Sequence, residues 1–153
     1  VPYVYALDWG WQDEWAIMKI GTEKTNIYIE EILYQKHLIN SDVIDILQRL
    51  PPAPVIADSA EPRSIHELRK AKLQVIPALK GPDSVRNGIN SVRECDVYVV
   101  DDSPNIWKEY QNYIWSDKRS GVPLDKWNHQ MDCLRYGYSY LKRNNREKRY
   151  SVA

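Results

Sequence analysis

The sequence predicts an α/β fold: a mixed sheet, made of an antiparallel meander plus parallel strands, with helices on both faces. Three observations predict it. The first 33 residues hold three apolar, strand-like runs separated by short turns. The remainder alternates short apolar runs with segments of helical period. The chain has 153 residues, 43% of them hydrophobic, which is enough to bury one core without staples.

The elements follow in order. Val1 to Leu7 alternates Tyr with aliphatics and ends at Asp8-Trp9-Gly10, where Gly permits a turn. Glu14 to Ile20 and Thr25 to Leu33 are strands around a turn at Gly21-Thr22-Glu23-Lys24. Ser41 is the expected N-cap of a helix over Asp42 to Leu50, whose Val43, Ile44, Ile46, Leu47 and Leu50 keep a helical period. Pro51-Pro52 stops it, and Pro54 to Ala57 is a short strand leading into Asp58. Pro62 to Lys70 is a helix with Pro in its first turn. Gln74 to Pro77 is a strand, and Asp83 or Ser84 caps a helix running to Arg93. Asp96 to Val100 is a strand or hairpin arm. Pro104 to Tyr113 is a helix striped by Ile106, Trp107, Tyr110 and Tyr113. Ile114 to Pro123 is a hairpin or loop, and Lys126 to Leu141 the last long helix. Residues 143–153 form a basic tail expected to fray. Three antiparallel strands followed by alternating helices and strands is the order of a ribonuclease H-like fold, here over residues 1–142.

Composition narrows the function classes. Lys plus Arg and Asp plus Glu both number 21, so the formal net charge is zero. Tight autonomous nucleic-acid binding usually needs a basic excess. A local basic patch, or delivery to DNA by another domain, is still open. Cys95 and Cys133 sit in no CxxC pattern and are expected as free thiols. No stretch has the length and apolarity of a membrane span, and no signal peptide is visible. The abrupt start inside a strand, without Met, suggests a fragment of a longer protein.

Three acids stand where acids need explaining. Asp8 follows Val4-Tyr5-Ala6-Leu7 and Asp58 follows Val55-Ile56-Ala57, so both sit at the carboxyl ends of core strands. Ligands gather at such ends in open sheets. Asp132 lies in a largely apolar helix, with His129 one turn earlier on the same face. Crowded carboxylates repel, and favour a shared proton or a cation. Hard oxygen donors suit Mg²⁺ or Mn²⁺, and two such ions about 3.5–4 Å apart can hydrolyse a phosphodiester. Each residue also has a plainer role open to it. A strand-end Asp is often a turn former or helix cap, and a helical His–Asp pair is often a surface pair.

These residues resemble a known family, the nuclease domain of the large terminase subunit of tailed bacteriophages. The blocks that carry the resemblance are Tyr5-Ala6-Leu7-Asp8-Trp9-Gly10 with Asp13 and Ala16; Val55-Ile56-Ala57-Asp58-Ser59-Ala60-Glu61-Pro62-Arg63-Ser64-Ile65; Ala78-Leu79-Lys80-Gly81 leading to Ser84-Val85 and Gly88-Ile89; Glu109-Tyr110 with Tyr113 and Trp115; and Asn128-His129-Gln130-Met131-Asp132-Cys133-Leu134-Arg135-Tyr136-Gly137. The resemblance implies a metal-dependent endonuclease that cuts concatemeric double-stranded DNA at the start and end of packaging. It implies two Mg²⁺ or Mn²⁺ ions on Asp8, Asp58 and Asp132, with His129 beside them as an orienter or water contact. It also implies an ATPase motor domain in the same polypeptide, which this chain lacks. Further implied are a portal and a small terminase subunit as partners, no membrane, and work in the bacterial host cytoplasm at the procapsid. One departure is Glu14-Trp15, where many relatives have Pro and a small hydroxyl residue. Asp13 is then either a loop acid or an outer ligand.

Phosphates are met by Lys and Arg. Lys80, Arg63, Lys118 and Arg119 are the expected DNA contacts, with Arg63 alternatively pairing with Glu61. Arg135 is expected in a salt bridge, and Trp9, Trp11 and Trp15 as core or wall. Two other functions compete: a junction resolvase or similar ribonuclease H-like nuclease, and a non-catalytic domain that guides DNA or docks on the portal.

Overall fold

The structure, a computed structural model, describes residues 1–79, 84–111 and 129–151. Its strands are β1 (Tyr3–Asp8), β2 (Trp15–Glu23), β3 (Asn26–Gln35), β4 (Val55–Ala57), β5 (Val75–Pro77) and β6 (Asp96–Val99). The helices are α1 (Asn40–Arg49), α2 (Pro62–Lys70), α3 (Ser84–Arg93), α4 (described over residues 104–111) and α5 (His129–Ser151).

One six-stranded sheet runs β5-β4-β1-β2-β3-β6. The β1–β2 and β2–β3 pairs are antiparallel, the expected meander, whereas β1–β4, β4–β5 and β3–β6 are parallel. Period-2 alternation divides the core between the two faces. Val4, Ala6, Met18 and Ile20 pack with Met131, Cys133, Leu134 and Leu141 of α5. Tyr5, Leu7, Trp15 and Ile17 pack with Val43 and Leu47 of α1 and Ile65 and Leu68 of α2. Leu7 and Leu68 are fully buried; each such side chain stabilises the fold by roughly 1.5–3 kcal/mol.

Several boundaries differ from expectation for local reasons. The β2–β3 turn is Lys24-Thr25, with Lys24 at φ 57, and Gly21 stays in the ladder opposite Tyr3 and Tyr28. Helix α1 starts at Asn40 rather than Asp42, because Asp42 Oδ2 accepts the Ile39 N–H at 3.0 Å, the reach-back half of a capping box. Segment 96–99 is an edge strand parallel to β3, not a hairpin arm. The last helix, expected to end at Leu141, runs on to Ser151 through a stretch that holds neither Pro nor Gly. The expected hairpin or loop over 114–123 lies outside the described residues.

Candidate active site

The register of β1 and β4 places two of the acids side by side. Leu7 pairs with Ala57 in parallel, so Asp8 and Asp58 leave adjacent strands together, about 4.8 Å apart in the backbone. The Asp58 N–H donates to Leu7 O at 3.3 Å, and the Trp9 indole N–H donates to Asp58 O at 2.8 Å. One Asp58 carboxylate oxygen accepts the Ala60 N–H at 3.0 Å, so the residue is also a turn former.

Helix α5 brings the remaining groups. Its first turn carries His129 and Asp132, and it lies so close to the sheet that a Cβ at Gly137 would overlap Ile20 Cγ2 and meet Ala6 Cβ at 3.5 Å. The fully buried Glu109 on α4 fixes its start, accepting the backbone N–H groups of Gln130 at 2.7 Å and Met131 at 3.3 Å. These are donors that a helix start leaves without partners inside the helix. The Gln130 side chain donates to Leu33 O at 3.2 Å. The start of α4 is held in turn by Glu31, which accepts Asn105 N–H at 2.8 Å and Ile106 N–H at 3.1 Å.

His129 Nδ1 lies 2.9 Å from Asp8 Oδ2, joining the first strand to the last helix. The bond to Asp8 is the main reason the imidazole is pushed up from 6.5 to about 8, against the opposing effect of burial. Asp132 is paired with Arg135, the expected salt bridge. Burial nevertheless raises the Asp132 carboxyl above its ordinary value, with the Asp8 charge adding to the rise. Tyr136 reports on all three acids: after burial, the charges of Asp132, Asp58 and Asp8 push its phenol up. The four expected site residues therefore converge at one end of the sheet.

Their arrangement differs from a bare aspartate trio. The group whose ligand atoms all fall within 4.8 Å, among the described residues, is Asp13, Glu14 and His129. Glu14 Oε2 is 3.6 Å from His129 Nε2, on the far side of the ring from Asp8. Asp8 and Asp132 are each held by a protein cation instead. The chemistry of the Asp13, Glu14 and His129 donors, two carboxylates and an imidazole on adjoining elements, fits a divalent cation; Asp132, outside that group, is held above its usual range by burial and by the Asp8 charge. The sequence assigns no role to Glu14 or Glu109. The unusual Glu14-Trp15 pair was the only hint of the former, and membership of the Glu109-Tyr110 block the only hint of the latter.

Among the expected DNA contacts, Arg63 is exposed on α2. Lys80, Lys118 and Arg119 lie outside the described residues. Trp15 is 3% exposed and Trp9 partly buried, as expected of core or wall, but Trp11 is 54% exposed. Cys133 is buried, Cys95 partly so, and both are free thiols. No helix among the described residues is long and apolar enough to cross a membrane.

The mixed sheet, its strand order and its helix-covered faces define a ribonuclease H-like domain. Residues 10–139 match the family model of the terminase RNase H-like domain, and the chain belongs to that family. It is 39% identical over 94 residues to the large terminase subunit of Bacillus phage SPP1, a match covering 56% of this chain. The match spans 22% of that relative's length. In structure it is similar to the large terminase nuclease domain of bacteriophage SPP1, solved with bound Mn, with TM-score 0.77 and 30% identity over 92% of this chain and 86% of that one. It shares its fold with the nuclease domain of the P22 large terminase, with TM-score 0.75 at 16% identity, covering 92% of this chain and 81% of that one. It likewise shares its fold with part of the large terminase of a thermophilic bacteriophage, solved in complex with ADP. That match has TM-score 0.70 at 22% identity and covers 88% of this chain and 38% of that one.

Proposed function

We propose that this chain is the metal-dependent endonuclease domain of a phage DNA-packaging terminase, cutting concatemeric double-stranded DNA when packaging starts and ends. The observation that carries this is the meeting of Asp8, Asp58, Asp132 and His129 from β1, β4 and α5 at one end of the sheet. The Mn-bound SPP1 nuclease domain supports it. Asp8, Asp58 and Asp132 would hold two Mg²⁺ or Mn²⁺ ions. Such ions, when bound, supply positive charge to a phosphodiester and lower the pKa of water.

The chain's own residues supply the rest. His129 holds Asp8 through Nδ1 and sets the direction of that carboxylate. Glu109 fixes the start of α5 and hence the position of Asp132. Trp9 clamps the backbone of Asp58. Burial of Asp8 and Asp132 restricts water around the charges and strengthens their hold on a cation. Lys80, Arg63, Lys118 and Arg119 are the proposed DNA contacts. The proposed partners are an ATPase domain in the same polypeptide, the portal and the small terminase subunit, in the host cytoplasm at the procapsid.

The test is cleavage of supercoiled plasmid with Mn²⁺, Mg²⁺ or EDTA, alongside Asp58→Ala and Asp132→Ala. Nicking and linearisation that need metal and vanish in both variants are expected. Folded protein inactive with every metal would refute an autonomous nuclease.

A further inference from the structure

Trp11 is the one tryptophan of the β1–β2 region that the core does not take up. The residue is 54% exposed, in the loop that follows Asp8 at the end of β1. The ring is nevertheless held in place. His37 packs edge-on against it, with ring centroids 5.5 Å apart and planes at 69°. The His37 N–H donates to Trp11 O at 3.0 Å, and the Trp15 indole N–H donates to Leu38 O at 3.0 Å. The loop after β1 is thus tied to the segment after β3. His37 adopts φ 59, a conformation uncommon for a residue with a Cβ, and the turn it makes brings its ring to Trp11.

The residue before His37 is a cation. Lys36 Nζ is 3.9 Å from Glu14 Oε1, and its side chain is 52% exposed. So long and exposed a pair is weak, and a phosphate can compete for the ammonium. Glu14 leads to His129 at 3.6 Å, and His129 to Asp8 at 2.9 Å. Lys36 therefore borders the carboxylate cluster through Glu14, and Trp11 packs against His37, the next residue along the chain.

We propose that Trp11 and Lys36 form a strand-holding rim: Lys36 takes a phosphate of the DNA next to the cut, and the Trp11 ring packs on the adjoining deoxyribose. The inference rests on the nuclease function proposed above. Duplex DNA hides its base faces and exposes sugar and phosphate, so an aromatic plate beside an ammonium matches what the substrate presents. A protein partner on the same rim is the competing occupant, and it would leave DNA affinity untouched.

The test uses the 153-residue chain with plasmid and Mn²⁺, and separates KM from kcat. Trp11→Ala is expected to raise KM fivefold or more with kcat within twofold of the wild type, and Trp11→Tyr to recover most of the loss. Lys36→Ala is expected to weaken binding of a fluorescent duplex, followed by anisotropy in EDTA. It should also flatten the slope of log affinity against log salt by about one, the loss of one phosphate contact. Tyr98→Ala, an exposed aromatic on the edge strand β6, serves as the neutral control. Unchanged KM and duplex affinity in both Trp11→Ala and Lys36→Ala would overturn the rim while leaving the nuclease standing. A wild type that binds duplex but never cuts it refutes an autonomous nuclease, and the anisotropy arm with Lys36→Ala then decides the rim by itself. If Trp11→Ala misfolds by circular dichroism, Lys36→Ala carries the test, and its unchanged duplex affinity and salt slope overturn the rim.

Discussion

Raising the pH through 8 in EDTA is expected to loosen the joint between β1 and α5. His129 is held by Asp8 at 2.9 Å, and its pKa rises from 6.5 to about 8. A group whose folded pKa exceeds its unfolded value stabilises fully below the unfolded pKa. That stability is lost as pH rises through the folded pKa. A rise of this size corresponds to about 2 kcal/mol, and the His129 side chain is only 19% exposed, so screening is limited. Urea unfolding in EDTA at pH 6 and at pH 8.5 is the assay. The wild type should lose on the order of 1–2 kcal/mol between the two. The loss should disappear in His129→Asn and shrink in Asp8→Asn, because Asp8 is the main cause of the shift. An NMR titration placing the His129 ring at or below 6.5 would refute the reasoning. So would a pH dependence that persists in His129→Asn.

Other outcomes follow from the same packing. Glu109→Ala orphans two buried N–H groups at the start of α5 and is expected to cost about 2–5 kcal/mol, read as a lowered Tm together with weakened Mn²⁺ binding. Gly137→Ala drives a methyl into Ile20 and is expected to destabilise by about 1–3 kcal/mol in urea unfolding, whereas the exposed Ser139→Ala should be near neutral. Asp132→Asn removes a carboxylate that burial disfavours. The variant is expected to melt in EDTA at or above the wild-type temperature while losing plasmid cleavage, and a large drop in Tm would contradict this.

The strands were legible because their apolar runs are short and bounded, and the acids because they break those runs. The adjacency of Asp8 and Asp58 was not, since it depends on Leu7 pairing with Ala57 from far along the chain. Nor was the Asp8–His129 bond, which joins opposite ends of the chain. Gly21 was a false turn signal: the ladder runs through it, and the turn falls at Lys24-Thr25. Ser41 was a false cap, because the capping carboxylate is Asp42 acting on Ile39. Glu109 stood in a block of the resemblance, but its role was hidden, because a helix-capping role needs a second helix to cap. The exposure of Trp11 was hidden for a similar reason, since sequence alone does not tell a tryptophan in the wall from one standing on a loop.

Mn²⁺ binding measured by calorimetry, without DNA, tests most directly whether these acids form a metal centre. Asp8→Asn and Asp132→Asn are expected to abolish or sharply weaken binding, while Asp45→Asn, an exposed acid on α1, leaves it intact. Binding of equal strength in the wild type and all three variants, or none in the wild type, would contradict the carboxylate centre.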